Sequence, residues 1–588
     1  MNGKNRRTRG CWSRGNTVFK KSILKRTIPV IKYNLPNFSP ALKTKLNQTQ
    51  KSLLNEFEHY TYLSKYEEYS YKNNTPRALI RLRNSHFANG TVRITKPGIY
   101  ILQEDIHFHP NESNDFFPTY SQIASGQYPM GTQGAYHLGF FAAITVEATG
   151  VILDLNSFTI KQSKLHNLQQ RFYANIELAS APFIPAQGPA TFSTNSNYVA
   201  ANGALIRNGT LGMSSHHGIH GNAMSNTVID NITIKDFEVA GIALNGTTIG
   251  VINNVIIKNA SQTIPVLSTY SQSRFIRSFL TDLSNNHPNA SIRIEGVETD
   301  VHTIISNLND ALHTTKNEIM NSKEITNTLF KNTSQLYDGN LYGIVLNEKG
   351  VVVNGFIRDR DGAVGNIGIH LQNITISNLV SQPIEIIGLS NPNPPPNGAY
   401  GVTSQAGPIG DILQIEHIAD TTTKNYLPTV LANAQLIIAK NNTPKQGTTS
   451  ITTEIVDWVE TPSDLSGVMK DNNYYYVNGG DSMGHSMKGS LGLFISAGKD
   501  ITGDTINIDG VVTKGKNVGT SPLISDASQN YQGAVASGIL FTGSETISLS
   551  NTTVSNITSE TGVNYAHDVY CISSSGVLNN GTNVPNNE

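Results

Sequence analysis

Charged residues and cysteines are scarce in this sequence of 588 residues. Asp, Glu, Lys and Arg make up 15% of the chain, well below the roughly 25% of typical soluble domains. The two cysteines, Cys11 and Cys571, are too few for a disulfide framework, and no His/Cys group has zinc spacing. No apolar run approaches the length of about 18 residues that a transmembrane helix needs. We therefore expect no membrane span, no metal or other cofactor and, because no apolar segment follows the basic N-terminus, no secretory signal.

Acidic residues are absent before Glu56, whereas thirteen Lys and Arg residues occur up to Lys51. The formal net charge of zero therefore hides a basic flexible arm, predicted over residues 1–40, in front of a mildly acidic body. Such an arm either contacts a polyanion, such as nucleic acid or an acidic protein, or serves as a solubilising or targeting tail. The candidate polyanion-binding residues are Arg6, Arg7, Arg9, Arg14, Lys20 and Lys21.

Glycine and uncharged polar residues take the place of the missing charge, and the chain has 50 glycines. This composition favours stacked strands and tight turns over helix bundles. The segment AAITVEATGVILDLNSFTIKQS, residues 142–163, alternates apolar and polar residues in three short runs. These runs predict three strands within about twenty residues, which is the size of one coil of a β-helix.

A repeat of 23 residues supports the same fold. Copies of an opening of glycine followed by Ile or Leu recur, and at Gly218, Gly241, Gly492 and Gly538 an alternating strand begins 14 residues after the glycine. The first two openings are 23 residues apart, and the last two are 46 apart, or two repeats. Stacked coils bury inward Ile, Val and Leu as ladders, and glycine is expected to supply a positive φ at the corner. The sequence thus predicts an all-β fold, a right-handed parallel β-helix. The opening glycines are Gly218, Gly241, Gly343, Gly368, Gly492 and Gly538.

Two stretches interrupt the repeat. Residues 270–340 contain segments with helical apolar spacing and are predicted as a helical excursion. Residues 391–485 open on a Pro-rich run and predict a mixed insertion. The predicted organisation is a basic arm (1–40), a helical cap (41–88), β-helix (89–269), the excursion (270–340), β-helix (341–390), the insertion (391–485), the last coils (486–575) and a flexible tail (576–588).

The segments VILDLNSFTI and SSHHGIHGNAMSNTVIDNITIKDFEVAGIALNG resemble the pectin-lyase-like superfamily of right-handed β-helix proteins, over residues 90–260 and 341–575. The chain is also similar to uncharacterised β-helix proteins encoded by large DNA viruses of protists. These resemblances imply a virion or fibre component, contact with a polysaccharide or glycoprotein, a homotrimer, and Ca²⁺ as a ligand by fold analogy alone. The polygalacturonase set of three Asp with Gly-His-Gly and Arg-Ile-Lys is absent, as is the pectate-lyase pattern. The catalytic mechanism of those enzymes is therefore not predicted for this chain.

Histidines on the outer side of predicted strands are the best candidates for chemistry. Alternation places Ile219 inward and His220 outward, and His370 occupies the same position of its own Gly-Ile-His opening. With nearby carboxylates, these imidazoles either serve as general acid/base groups or metal ligands, or are solvated residues of the outer face. The candidate catalytic residues are His220, His370, Asp236 and Glu238, and the candidate binding residues beside them are His216 and His217.

A second candidate binding site is the run Arg358, Asp359, Arg360 and Asp361, which precedes a glycine. Alternating charges at such a turn act as a sugar clamp, as the Arg and carboxylate of a lyase, or as a self-neutralising surface turn. No phosphate loop, dinucleotide fingerprint or Ser/His/Asp signature is present.

Two functions remain open from the sequence. The first is a structural or binding β-helix protein, located in a virion if the chain is viral, that contacts glycan or protein partners. The alternative is a polysaccharide lyase or glycoside hydrolase that works in a groove along the β-helix. The position of His220 relative to His370 discriminates between them: both histidines and two carboxylates in one cleft favour the enzyme, and positions on different faces count against it.

Overall fold

The computed structural model describes the chain from residue 79 onward, with gaps. The predicted basic arm, with its candidate polyanion-binding residues, and residues 41–78 of the predicted helical cap lie outside the described residues. The described residues are 79–129, 136, 139–170, 172–182, 184, 198–259, 274, 277, 280, 281, 284, 288, 291–294, 297–321, 323, 326, 341–347, 351–353, 356–358, 365–380, 415–418, 489–513, 535–559, 566–572 and 574–586.

Strands dominate the described residues. In chain order they are β1 (Leu79–Leu82), β2 (Val92–Ile94), β3 (Gly98–Leu102), β4 (Ile106–Phe108), β5 (Phe140–Val146), β6 (Val151–Asp154), β7 (Thr159–Gln162), β8 (Phe172–Glu177), β9 (Leu205–Leu211), β10 (His217–Asn222), β11 (Ser225–Lys235), β12 (Ala240–Asn245), β13 (Thr248–Lys258), β14 (Ser291–Ile294), β15 (Val297–Asp300), β16 (Leu341–Asn347), β17 (Val351–Val353), β18 (Phe356–Arg358), β19 (Ile367–Val380), β20 (Ile415–Ile418), β21 (Gly489–Ser496), β22 (Lys499–Thr513), β23 (Val535–Thr542), β24 (Glu545–Ser559), β25 (Ala566–Ile572), β26 (Ser575–Asn579) and β27 (Thr582–Asn583).

Helices are short, apart from one. Three of the α-helices begin after a residue whose side chain accepts a backbone N–H of the first turn, namely Thr119, Ser163 and Asp300. The α-helices whose bounds the described residues give are α1 (Asn84–Phe87), α2 (Tyr120–Ala124), α3 (Lys164–Gln169) and α4 (Val301–Met320), and a 3₁₀ turn covers Glu112–Asn114. Among the described residues, no helix is long and apolar enough to cross a membrane.

Two large sheets run along the described part of the chain. The nine-stranded sheet has the order β2-β5-β8-β10-β12-β16-β21-β23-β25. The thirteen-stranded sheet has the order β1-β3-β6-β9-β11-β13-β19-β22-β24-β26-β27, with β4 and β7 beside this path. Successive coils add one strand to each sheet, as β10 and β11 and then β12 and β13 do, and these strands pair in parallel. The prediction of a parallel β-helix is therefore confirmed.

The inward side chains form the core. In the nine-stranded sheet, each residue of one row pairs with the next in the neighbouring strand. The row is Ile219, Ile242, Ile344, Leu493 and Ile539. Each of them is at most 1% exposed. Stacking at the spacing of paired strands, about 4.8 Å, turns these side chains into one continuous apolar ladder.

Register confirms the 23-residue coil where no insertion intervenes, but corrects the step from Gly492 to Gly538. Their strands, β21 and β23, pair directly, with Leu493 opposite Ile539. The 46 residues between the two glycines are therefore one coil rather than two, because residues 514–534 are inserted between β22 and β23.

The opening glycines are required by close packing, and the prediction of a positive φ at five of them is wrong. Gly218, Gly241, Gly343, Gly492 and Gly538 form one ladder, and none of them has a left-handed φ. A Cβ on Gly218 would lie 2.5 Å from the carbonyl oxygen of Gly241. The same conflict recurs at Gly241, Gly343 and Gly492, so neighbouring coils can approach only where no side chain intervenes.

Asparagine supplies the positive φ at the corner inside the long strands of the thirteen-stranded sheet except β22, where Thr505 has a φ of 58°. Neighbouring corner side chains hydrogen-bond along the stack, and Nδ2 of Asn231 donates to Oδ1 of Asn208 at 2.9 Å. Asparagine tolerates the left-handed conformation better than other residues with a Cβ. Because a left-handed residue turns the chain, the parts of each strand before and after it form different outer faces. The corner asparagines are Asn208, Asn231, Asn254, Asn373 and Asn551, with φ of 50° to 59°.

Both ends of the described solenoid differ from the prediction. β1 pairs in parallel with β3, so the strands begin at Leu79, inside the range predicted as a helical cap. At the other end, β26 pairs with β24 and turns into the antiparallel β27, where a flexible tail is predicted. The β26–β27 hairpin gives β26 an antiparallel neighbour on its outer side, which removes an open parallel edge.

The excursion between β13 and β16 contains the helix α4, but not helices alone. β14 and β15 form an antiparallel hairpin just before α4, and β14 also pairs with β20 from the predicted insertion. The apolar positions Val301, Ile304, Leu308 and Leu312 of α4 are buried, as its helical spacing predicts.

Two arginines of the excursion hold it to the first coils. Arg274 is 4% exposed, and its guanidinium donates to the Gln169 carbonyl oxygen at 2.7 Å and to Oδ2 of Asp115 at 2.9 Å. Arg277 contacts the same Oδ2 at 2.8 Å. Both guanidinium groups lie over the ring of Phe117, 5.4 and 4.9 Å from its centre.

Candidate functional site

The three neighbouring candidate histidines meet at the start of β10. The rings of His217 and His220 are stacked, with centres 4.8 Å apart and planes at 7°. Nδ1 of His216 lies 3.0 Å from Nδ1 of His217, so one of these nitrogens carries a hydrogen and donates a hydrogen bond to the other. Ile219 lies in the core, which confirms that His220 points outward.

Glu177 joins the histidines and is missed by sequence reasoning. It lies 43 residues before His220, and only the register of β8 on β10 places the two side by side. Nδ1 of His220 and Oε2 of Glu177 are 2.7 Å apart, and both side chains are nearly buried. We call His216, His217, His220 and Glu177 the histidine cluster.

Both ring nitrogens of His220 have protein partners. Nδ1 donates to Glu177, and Nε2 accepts from Nδ2 of Asn245 at 3.3 Å. His220 is only 7% exposed, so it is not the solvated outer residue that alternation alone suggests. In this arrangement the imidazole holds β8, β10 and β12 together rather than offering a nitrogen to a substrate.

Burial dominates the electrostatics of the cluster. It raises the pKa of the Glu177 carboxyl, against the lowering effect of the charge and hydrogen bond of His220. It also lowers the pKa of His217 well below the ordinary value, and positive charge on His216 or His220 lowers it further. The neutral form of His217 is therefore favoured in the folded protein.

Replacing His217 with glutamine should make the folded protein less sensitive to mild acid. Because the pKa of His217 is lower in the folded state, its contribution to stability is complete above about pH 6.5 and is lost as the pH falls below that value. The free energy of unfolding, measured in urea at pH 7.5 and pH 5.0, should thus fall less in His217→Gln than in the parent. His86→Gln, at an exposed histidine, should leave the difference unchanged.

His370 does not share the position of His220, which corrects the sequence alignment. It lies in β19 of the thirteen-stranded sheet, opposite Val251 and Thr502, whereas His220 lies in the nine-stranded sheet. Its Nδ1 is 2.9 Å from Oγ1 of Thr502, and burial lowers its pKa. The preceding Gly368 has a φ of 68° and belongs to a corner of that sheet, so the same three letters occur in two structural contexts.

Asp236 and Glu238 lie in the connection from β11 to β12. Asp236 is buried, with a left-handed φ of 57°, and its carbonyl oxygen accepts from the Ser214 amide at 2.8 Å. The amide of Glu238 donates to the Ser214 carbonyl oxygen at 3.1 Å. Their backbones therefore fix a turn between coils. A catalytic role of the two carboxylates stays a prediction from the sequence.

The second candidate site is described only in part. Arg358 ends β18, which pairs with β17, whereas Asp359, Arg360 and Asp361 lie outside the described residues. Within the described ranges, no group of three or more His, Cys, Asp or Glu side chains is placed to hold a metal ion.

A second candidate surface lies on the outer side of five successive long strands, β11, β13, β19, β22 and β24. It is formed by the part of each strand that follows the corner residue. Pairing aligns its residues in two rows that cross the coils, one starting at Thr233 and one at Lys235. All its members are partly or fully exposed. This polar face consists of Thr233, Ile256, Thr375, Asn507 and Thr553 in one row, and Lys235, Lys258, Ser377, Asp509 and Ser555 in the other.

Charge on the polar face is confined to its two sides. Lys235 and Lys258 are neighbours in register at one side, and Asp509 lies towards the other. Oδ1 of Asp509 accepts from Oγ of Ser555 at 2.8 Å and from Nδ2 of Asn556 at 2.6 Å. These two hydrogen bonds lower the pKa of the Asp509 carboxyl, so it is ionised at neutral pH. Hydroxyl and amide groups occupy most of the surface between the charges.

Comparison with known proteins adds little to this geometry. No protein family matches the chain, and no curated protein matches it. Two similar solved structures are a tailspike and a glucanase. Tailspike protein 2 from Escherichia coli O157:H7 bacteriophage CAB120 has 8% identity and a TM-score of 0.21, over 82% of this chain and 38% of that chain. The catalytic domain of a GH87 alpha-1,3-glucanase in complex with tetrasaccharides has 9% identity and a TM-score of 0.17, over 85% of this chain and 70% of that chain. The chain thus spans 38% of the tailspike's length. The assignment of the β-helix is based on the strand pairing of this chain and not on these two structures.

Proposed function

We propose that this chain is a β-helix binding protein whose polar face contacts a glycan. The observation that carries the proposal is the pair of exposed rows through five coils, in which every side chain except that of Ile256 can form hydrogen bonds. Neighbouring coils lie about 4.8 Å apart, which is close to the length of one sugar ring. A glycan laid across the coils would therefore meet a polar side chain of the face at successive sugars.

The charges on the polar face favour particular kinds of sugar. The adjacent ammonium groups of Lys235 and Lys258 suit an acidic sugar, while the Asp509 carboxylate accepts hydrogen bonds from sugar hydroxyls. Ile256, which is a member of the first row and is 45% exposed, offers an apolar contact for the face of a sugar ring.

Binding is favoured over the alternative of a polysaccharide lyase or hydrolase. The support for that enzyme would be an arrangement of His220 and His370 in one cleft, and the two histidines lie in different sheets. His220 is nearly buried, with both nitrogens engaged. A place in a virion or fibre, kinship with pectin-lyase-like or viral β-helix proteins, a homotrimer, Ca²⁺ binding and polyanion contact by the basic arm stay predictions from the sequence.

A glycan array probed with the full chain tests the proposal. The double variant Asn507→Ala/Thr553→Ala removes two exposed side chains from one row and should weaken binding about 10- to 30-fold, at about 1 kcal/mol per hydrogen bond. The matched control Thr502→Ala/Ser548→Ala alters exposed residues of the same two strands before the corner and should bind like the parent.

Three outcomes would count against binding at the polar face. The proposal fails if the parent retains no glycan, or if the control loses as much affinity as the double variant. Cleavage of a retained polysaccharide into unsaturated or reducing ends would favour the lyase or hydrolase instead, and His220→Ala would then show whether the histidine cluster takes part.

A further inference from the structure

Ser163, His109 and Glu112 form a continuous hydrogen-bonded chain beside the first coils. β4 pairs with β7 in parallel, with Phe108 opposite Gln162. His109 and Ser163 are the next residues along these two strands, and the Ser163 amide donates to the Phe108 carbonyl oxygen at 3.0 Å. Register therefore brings the imidazole and the hydroxyl together, although the two residues are 54 positions apart.

The distances are those of a nucleophile, a base and an orienting carboxylate. Oγ of Ser163 lies 2.5 Å from Nδ1 of His109. Nε2 of His109 lies 3.0 Å from Oε2 of Glu112. The ring is also held edge-on against Phe116, with centres 5.1 Å apart. A hydroxyl on a histidine whose other nitrogen is fixed by a carboxylate is the arrangement that activates serine for attack.

The hydrogen bonds around Ser163 and His109 are compatible with Ser163 as the donor to His109. Oγ of Ser163 accepts from the amide of His166 at 3.1 Å as the N-cap of α3, so its own hydrogen is left to donate to Nδ1 of His109. In the tautomer that fits both contacts, Nδ1 carries the lone pair and Nε2 the ring proton, which is donated to Oε2 of Glu112. This tautomer leaves Nδ1 of His109 able to take the proton of Ser163, as general-base catalysis requires.

We propose that Ser163 is the nucleophile of a serine esterase site, with His109 as general base and Glu112 as the group that orients it. Oγ adds to the acyl carbon of a carboxylic ester while its proton passes to Nδ1 of His109. The bond from the acyl carbon to the alcohol oxygen then breaks, and the alcohol leaves with that proton. Water then adds to the acyl carbon while Nδ1 of His109 takes its proton. The bond from the acyl carbon to Oγ breaks, Oγ regains the proton from Nδ1, and the carboxylic acid leaves.

Exposure makes the site reachable. Ser163 is partly exposed, and the side chains of His109 and Glu112 are 35% and 62% exposed. The site is separate from the polar face and from the histidine cluster, because its members lie at the ends of β4 and β7. The proposal therefore does not rest on glycan binding.

Labelling of the full chain with a fluorophosphonate probe tests the site. The probe phosphorylates an activated serine and releases fluoride, and peptide mass spectrometry should place the label on Ser163. In Ser163→Asp the carboxylate keeps an acceptor for the N-cap but removes the hydroxyl, and in His109→Phe the ring contact is kept but the base is lost. We expect the labelling rate to fall at least about 100-fold in both variants. Hydrolysis of p-nitrophenyl acetate should fall in parallel.

Ser121→Ala is the matched control, because Ser121 is an exposed serine of α2 that hydrogen-bonds only Thr119 through its side chain among the described contacts. Its labelling and ester hydrolysis should equal those of the parent. The proposal is overturned if the parent is labelled no faster than Ser163→Asp, or if the label maps to another residue. Circular dichroism confirms that each variant keeps the strand content of the parent.

Discussion

Replacing Gly343 with alanine is expected to lower the free energy of unfolding by about 3 kcal/mol, at the upper end of what overpacking costs. The added Cβ would lie 2.5 Å from the carbonyl oxygen of Gly492 and 2.8 Å from Cγ2 of Ile376. The first of these atoms belongs to the backbone of the next coil, which is fixed by the β16–β21 pairing and cannot rotate away as a side chain would. Relief therefore requires two coils to separate.

Urea unfolding followed by circular dichroism checks this expectation. Gly543→Asn is the matched control, because Gly543 has a φ of 53°, a conformation that asparagine tolerates, and an added Cβ meets nothing within 4 Å. A loss of stability in the control as large as in Gly343→Ala would show that the chain responds to any change of glycine. In a solenoid each coil is stabilised mainly by its neighbours, so the loss should be concentrated around β16 and β21 in hydrogen exchange.

Sequence spacing identified the correct glycines for the wrong reason. A repeated glycine indicates either a left-handed φ or a close approach, and the letters do not separate the two causes. At Gly343 glycine is required because the backbone of the next coil lies too close for a Cβ. Gly368, in an almost identical Gly-Ile context, has a left-handed φ of 68°. The misalignment of His370 with His220 follows directly from this ambiguity, because only the pairing of β19 with β13 reveals which ladder Gly368 belongs to.

The candidate sites show the same limit. His216, His217 and His220 are adjacent in sequence and could be predicted to lie together. Glu177 could not, because its position beside His220 depends on the register of β8, which precedes an interruption of the regular coil. Ser163 and His109 match no sequence motif for the same reason. In a β-helix, register rather than a local motif brings distant side chains into contact.

The second large effect is expected at Asp115, where replacement by asparagine should detach the excursion from the first coils. Asparagine has the same shape but leaves the buried guanidinium of Arg274 without its opposite charge. Because hydrogen bonds to charged groups contribute about 1.5–3 kcal/mol each, we expect Asp115→Asn to lose roughly 2–3 kcal/mol at neutral pH. Arg277 transmits the change to α4, since its Nη1 donates to Oδ1 of Asn309 at 2.9 Å. Hydrogen exchange of the α4 amides should therefore be faster in the variant.

The effect of Asp115 should depend on pH in a defined direction. Burial alone would raise the pKa of its carboxyl, but the charges and hydrogen bonds of Arg274 and Arg277 outweigh burial and leave the pKa below the ordinary value. The stabilisation is then fully present above the unfolded pKa, near 3.9, and is lost as the pH falls through the folded pKa. The parent and Asp115→Asn should thus differ most at pH 7 and converge towards pH 3. Asp310→Asn, at an exposed carboxylate of α4, should match the parent throughout. A constant gap between the parent and Asp115→Asn across this range would mean that charge at Asp115 does not hold the excursion.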